Sequence, residues 1–296
     1  MKPIQVLLSG AIDYAGLFPP AALPLPAAMA NHAAYRSGPD SWALGRFIVP
    51  ASRLAELEPA LPRSSGWRLS VLAGNDLAAD LERVAAFNDR HAGGEGTVID
   101  AIELKADSVR VIRNTLRRVP DQLQVYVEVP IEQDPAELIA VLHSAQGRAK
   151  VRTGGVTPDA FPSTADLAGF LSACVRAGVP FKATAGLHHA LRGDYPHTYA
   201  IDSSRGSMFG FLNLFLATAV LEAGGDRSAT SRMLEESSPG SLQVDEWSIR
   251  WNDWSLDLEL LRRARERMVS FGSCSFTEPL AELRSLQLLG SEVRQA

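Results

Sequence analysis

Two short runs that end in glycine turns carry most of the chemistry this chain can do. They are Ala149-Lys150-Val151-Arg152-Thr153-Gly154-Gly155 and Phe181-Lys182-Ala183-Thr184-Ala185-Gly186. Upstream, Ile102-Glu103-Leu104-Lys105 and Tyr126-Val127-Glu128 have the same character. Side chains alternate along a strand, so Glu103 shares a face with Lys105, Lys150 with Arg152, and Lys182 with Thr184. Lys and Glu are almost never buried without a partner. Several strands delivering them near their C-terminal ends therefore imply one polar pocket. Lys105, Lys150, Arg152 and Lys182 against Glu103 and Glu128 leave it positive, suited to a phosphate or a carboxylate.

A lysine among other cations has a further use. Desolvation and a neighbouring positive charge both lower its pKa and free its amine near neutral pH. That amine attacks a carbonyl and forms a Schiff base. Lys150 and Lys182 are the expected coupled pair, and Glu103 or Glu128 moves the protons that carbinolamine formation and C–C cleavage require.

These residues need elements that present them at one end. Short apolar runs alternate with stretches of helical period. Strands are predicted at Ile12–Phe18, Arg46–Pro50, Arg68–Ala73, Val98–Lys105, Gln124–Val129, Arg148–Thr153, Phe181–Thr184 and Met268–Gly272. Helices are predicted at Leu25–Tyr35, Ser52–Leu61, Asp76–His91, Ser108–Val119, Asp134–Gln146 and Thr164–Gly178. Alternation of this kind makes a parallel sheet, and eight units fit a closed α/β barrel, the (β/α)8 fold, as one domain over 1–296. No G-x-G-x-x-G follows the first strand, which argues against a dinucleotide fold. The stretch 187–267 exceeds a normal βα unit and is expected as an insertion. It holds the loop Asp194-Tyr195-Pro196-His197, an apolar helix over Ser207–Ala223, a strand or hairpin with Trp247, Trp251 and Trp254, and a helix over Leu256–Arg267. The apolar helix suits an outer barrel layer or a homo-oligomer contact equally.

The lysine pattern resembles the class I deoxyribose-phosphate aldolases. Those have a Schiff-base lysine in a K-x-x-T-G sixth strand, a second lysine in a K-x-x-G-G seventh strand, and an acid on the fourth. Here Lys150-Val-Arg-Thr153-Gly154, Lys182-Ala-Thr-Ala185-Gly186 and Glu103 stand at those places, and Ile12-Asp13-Tyr14-Ala15-Gly16-Leu17 is loosely similar to the family's opening I-D-x-T-x-L. Gly272-Ser273-Cys274-Ser275 looks like the family's phosphate turn after strand eight, where backbone amides make an anion nest. The resemblance implies a lyase with Lys150 as nucleophile, Lys182 and Glu103 as catalytic partners, and no cofactor. Lys105, Glu128, Arg152, Thr184, His188, Gly272 and Ser273 are the expected substrate contacts. The chain departs from the family in Glu103 for Asp, Ala185 for the first Gly, a bulky Arg152 beside the nucleophile, and the 187–267 insertion.

Two other functions are open at this point. His188 or His189, following strand seven, with Glu103 and Glu128 would suit a metal-dependent lyase or hydrolase. A barrel that binds an anionic metabolite without chemistry is the other. Net charge of −5 argues against nucleic acid and anionic membranes as partners. No apolar run reaches spanning length without polar interruption, and the first residues lack the layout of a signal peptide. Cys174 and Cys274 form no C-x-x-C pair and no disulfide framework. Cytoplasmic location and a small anionic carbonyl metabolite as partner are the expectations.

Overall fold

A computed structural model describes residues 1–62, 66–91 and 96–289. Eight parallel strands close into a barrel in the order β1-β13-β7-β6-β5-β4-β3-β2. They are β1 (Ile12–Tyr14), β2 (Leu44–Pro50), β3 (Arg68–Leu72), β4 (Val98–Lys105), β5 (Gln124–Glu128), β6 (Arg148–Arg152), β7 (Phe181–Thr184) and β13 (Met268–Ser273). Each matches a predicted strand, and the parallel pairing of β1 with β13 closes the ring. The first strand is shorter than expected because the amide of Phe18 donates to Ala15 O (3.0 Å) and turns the chain there.

Helices cover the barrel as their apolar spacing predicts, with one exception. The expected helix over Ser52–Leu61 is broken into two 3-10 turns, Ala51–Arg53 and Glu58–Ala60, around one α turn, Leu54–Leu57. Pro59 has no N–H to continue an α ladder. The helix Thr164–Ala177 stops where Gly178 takes a left-handed conformation, φ 68°.

The insertion has four parts. A hairpin, β8 (Gly193–Pro196) with β9 (Arg205–Met208), comes first. Two helices follow, Phe211–Glu222 and Arg227–Glu235. A three-stranded antiparallel sheet, β10 (Leu242–Val244), β11 (Ser248–Trp251) and β12 (Trp254–Asp257), leads to the helix Leu258–Arg267. The apolar helix starts later than predicted because its first residues belong to β9. Its residues Phe211 to Val220 are buried, and Phe211 stacks on Phe271 of β13 at 4.9 Å. It is thus part of the barrel's outer layer and presents no open apolar face. Trp251 is buried with its indole N–H on Glu236, whereas Trp247 is exposed. The closing helix is Thr277–Ser285, and the tail 290–296 lies outside the described residues. Among the described residues no helix is long and apolar enough to cross a membrane.

Under β1 and β2, His32 is buried among Tyr14, Phe47 and Trp67, and neither ring nitrogen has a partner among the described residues. Burial, helped by the charge of Arg36, lowers its pKa to about 3. The imidazole is therefore neutral in the fold but charges near pH 6.5 when unfolded. Stability from this site is full above pH 6.5 and falls as acid charges the unfolded chain. The expected loss is about 2 kcal/mol between pH 7 and pH 5. Denaturant unfolding at the two pH values should show His32→Phe losing about 2 kcal/mol less than wild type over that interval.

Candidate functional site

Barrel register stacks the polar residues into one connected chain. Lys150 on β6 is level with Glu128 on β5 and Lys182 on β7. Lys182 is level with Ser270 on β13. Lys182 Nζ lies 2.5 Å from Asp13 Oδ2 and 2.8 Å from Glu103 Oε1. Glu103 Oε2 lies 2.9 Å from Lys150 Nζ, which is 3.0 Å from Glu128 Oε2. Glu128 Oε1 reaches Lys105 Nζ at 3.2 Å on the rim. Three carboxylates thus alternate with three ammonium groups, from a nearly dry floor to solvent, where the Lys105 side chain is 74% exposed.

The floor is built around Asp13. Its Oδ1 accepts the Arg46 amide (2.8 Å), and its Oδ2 accepts Ser270 Oγ (2.8 Å) besides Lys182. Gly45 is required here, because a Cβ would come within 2.4 Å of Asp13 Oδ1. Ser70 Oγ donates to Glu103 Oε1 at 2.8 Å, and the Tyr126 ring lies 5.3 Å from Lys182 Nζ. Asp13, Ser70 and Ser270 complete the site beyond the residues expected from sequence. Their signal was present in the strand alternation: each is a polar residue inside an apolar strand.

These contacts set the charge states. Burial alone would raise the Glu103 carboxyl, but Lys182 and Lys150 outweigh it and hold the group well below the usual carboxylate range. Burial alone would lower Lys182, but Asp13 and Glu103 hold it above its ordinary value. Glu128 is likewise lowered, with burial opposed by Lys150 and then Lys105. Lys182 is therefore a fixed cation whose charge is already matched. It is not the unpaired cation expected to act on Lys150, because Asp13 adds a third carboxylate.

A cavity of about 310 Å³ opens above this chain at the C-terminal ends of the strands. Glu103, Lys150, Arg152, Thr184, His188, Gly272 and Cys274 line it, with Pro19 and Pro20 at its edge. Lys182 lies beneath, 1% exposed. Gly272 packs closely on Thr184, and a Cβ there would meet Thr184 Cγ2 at 3.3 Å. Thr153 points away from the cavity and donates to Ala185 O at 2.7 Å, fixing the loop where Ala185 has φ 69°. A larger cleft of about 700 Å³ lies alongside, lined by Lys105, Glu128, Val129, Phe161 and the other side of Arg152.

The turn after β13 differs from the expected anion nest. Ser273 belongs to the strand, is buried outside the cavity, and places its Oγ 3.5 Å from His188 Nδ1. Ser275 Oγ accepts the Glu278 amide at 3.2 Å. Glu278 itself occupies the first turn of the helix Thr277–Ser285, so this helix start already has its negative charge. The Glu278 carboxylate meets His188 Nδ1 at 3.5 Å and the Tyr199 hydroxyl at 2.8 Å. His188 also lies 3.8 Å from Cys274 Sγ. Burial would lower His188, but Cys274 and Glu278 outweigh it and hold the pKa at about 9.

The donors needed for a metal site do not converge. Glu103 and Glu128 are engaged by lysines, His188 turns to Glu278, and His189 turns to Glu282 at 3.3 Å. Among the described residues no group of three or more His, Cys, Asp or Glu side chains is placed to hold a metal ion. Comparison of the chain with protein-family models, curated proteins and solved structures finds no match.

Two outcomes follow from these contacts. Lys182→Met leaves Asp13 and Glu103 as under-compensated buried charges and should destabilise the fold by about 3–5 kcal/mol in urea unfolding. His188 should titrate by NMR near pH 9, and Glu278→Gln should bring it down by roughly one unit or more. Because the folded value is the raised one, His188 contributes stability below pH 6.5 that is lost as pH rises through 9.

Proposed function

We propose that this protein is a lyase that forms a Schiff base between Lys150 and a small anionic carbonyl compound, on the plan of the class I aldolases. One observation carries the reading: of the two buried lysines in the chain of ion pairs, Lys150 alone lines the cavity, held between two carboxylates. The barrel supports an enzyme in general, since active sites on this fold lie at the C-terminal ends of the strands, but fold does not fix chemistry.

The residues divide the work as follows. Lys150 gives up one proton, and its nitrogen lone pair attacks the substrate carbonyl carbon. The oxygen is protonated and leaves as water, giving a protonated iminium. That iminium carries the same positive charge as the resting ammonium, so Glu103 and Glu128 that hold the ammonium also stabilise the iminium. Next, the hydroxyl proton of the substrate goes to a base, the adjacent C–C bond breaks, and its electrons flow into the iminium to give an enamine and a free aldehyde. Reprotonation of the enamine carbon and hydrolysis by water restore Lys150.

The residue pattern leaves Glu103 or Glu128 for the proton transfers, and the family resemblance nominates Glu103. Three donors on its carboxylate, Ser70, Lys182 and Lys150, favour the ionised form strongly. Its role is then to hold the iminium charge. Glu128 is the better proton carrier, because its outer oxygen is held only by the exposed Lys105. Lys182 fixes Glu103 in place from below.

The test is borohydride reduction in the presence of a panel of small aldehydes and ketones, followed by intact mass and peptide mapping. An adduct should appear on Lys150 and vanish in Lys150→Met. Glu128→Gln should still be trapped while turnover falls by on the order of 10². An adduct that maps to another lysine, or none with any carbonyl, sinks the reading.

A further inference from the structure

The charges around the cavity leave one remainder. Asp13, Glu103 and Glu128 match Lys182, Lys150 and Lys105, and Glu278 matches His188. Arg152 has no hydrogen bond and no ion pair among the described residues, although its side chain borders both the cavity and the larger cleft. Carboxylates are at hand in that cleft, on Asp107, Glu132, Asp159 and Asp166, yet none is within ion-pairing distance of Arg152. An arginine fork kept free at a cavity wall, in a site where the other cations are paired, is available to a ligand.

We propose that Arg152 is the subsite for a single substrate carboxylate, and that the substrate is a short oxo acid. This rests on the Schiff-base reading for the position of its carbonyl, and on charge and geometry for the rest. One free positive charge balances one negative charge. A phosphate monoester carries about −1.5 to −2 at neutral pH and would leave unmatched charge beside the acidic cleft. The helix start after β13, the usual phosphate position on this fold, already carries the negative charge of Glu278 in its first turn, and Ser275 Oγ takes the Glu278 amide. A planar guanidinium matches a carboxylate through two parallel hydrogen bonds.

Position limits the length of the acid. Arg152 and Lys150 lie two residues apart on the same face of β6, a separation of about 7 Å along the strand. A carbonyl carbon at Lys150 Nζ and a carboxylate on Arg152 are then spanned by a few bonds. The cavity of about 310 Å³ holds an acid of that size.

The experiment compares borohydride trapping rates for pyruvate, acetoacetate and levulinate with those for the neutral 2-pentanone and for dihydroxyacetone phosphate. At least one oxo acid should be trapped on the order of 10² faster than 2-pentanone, and faster than the phosphate ester. Arg152→Met should slow that oxo acid by on the order of 10² and 2-pentanone by far less, so that the preference for the acid is lost. The side chain makes no partner contact, so folding should survive the substitution. A second arm needs no carbonyl: butanoate should shift the Arg152 Nε–H resonance in an NMR titration. A butanoate shift without trapping of any carbonyl would refute the Schiff base and leave the subsite standing. Trapping of an oxo acid that Arg152→Met does not slow, trapping led by the phosphate ester, or an unmoved Nε–H resonance would overturn the subsite.

Discussion

The alternating chain Asp13–Lys182–Glu103–Lys150–Glu128–Lys105 constrains the rest of the barrel. A single buried ion costs several kcal/mol of desolvation, and a buried pair is at best a weak stabiliser. The chain is tolerable because each inner charge touches opposite charges and the remaining oxygens take hydrogen bonds from Ser70, Ser270 and the Arg46 amide. Losing one member leaves its neighbours exposed to the full penalty. The barrel's stability comes instead from its apolar layer between strands and helices, where residues such as Phe47, Phe181 and Phe271 are fully buried.

Closure of the sheet brings the chain of charges together. Asp13 and Lys182 are 169 positions apart in sequence, and Asp13 and Ser270 are 257 apart. They meet only because β1 pairs with β13 and β13 with β7. A strand shifted by one residue would turn its charged side chains into the apolar layer. The ion pairs thus penalise wrong registers more than they stabilise the right one, and they leave Lys150 as the buried lysine that faces the cavity.

The long connection between β7 and β13 has a modest part in this. Most of it is outer layer: the buried helix Phe211–Glu222 rests on β13 through Phe211 and Phe271. The hairpin of β8 and β9 reaches the barrel mouth. Tyr195 stacks on His189 at 3.4 Å, His197 packs on Phe161 at 5.3 Å, and Tyr199 donates to Glu278. Through Tyr199 the hairpin holds the Glu278 carboxylate that pairs with His188.

Local pattern alone determined the architecture. Apolar strands alternating with helical period placed all eight barrel strands, and two-residue alternation put Glu103, Lys105, Glu128, Lys150, Arg152, Lys182 and Thr184 on inward faces. Those are short-range properties, and a chain states them directly. Tertiary structure decided which charges neutralise one another. The third carboxylate, Asp13, was visible as a residue but not as the partner of Lys182, so the sequence suggested a pocket more positive than the folded one. The sequence also could not show that Glu278, five residues past the end of the last strand, pairs with His188 and Tyr199 beside the cavity. Charge balance depends on distances across a closed sheet, and those exist only after the first and last strands have met.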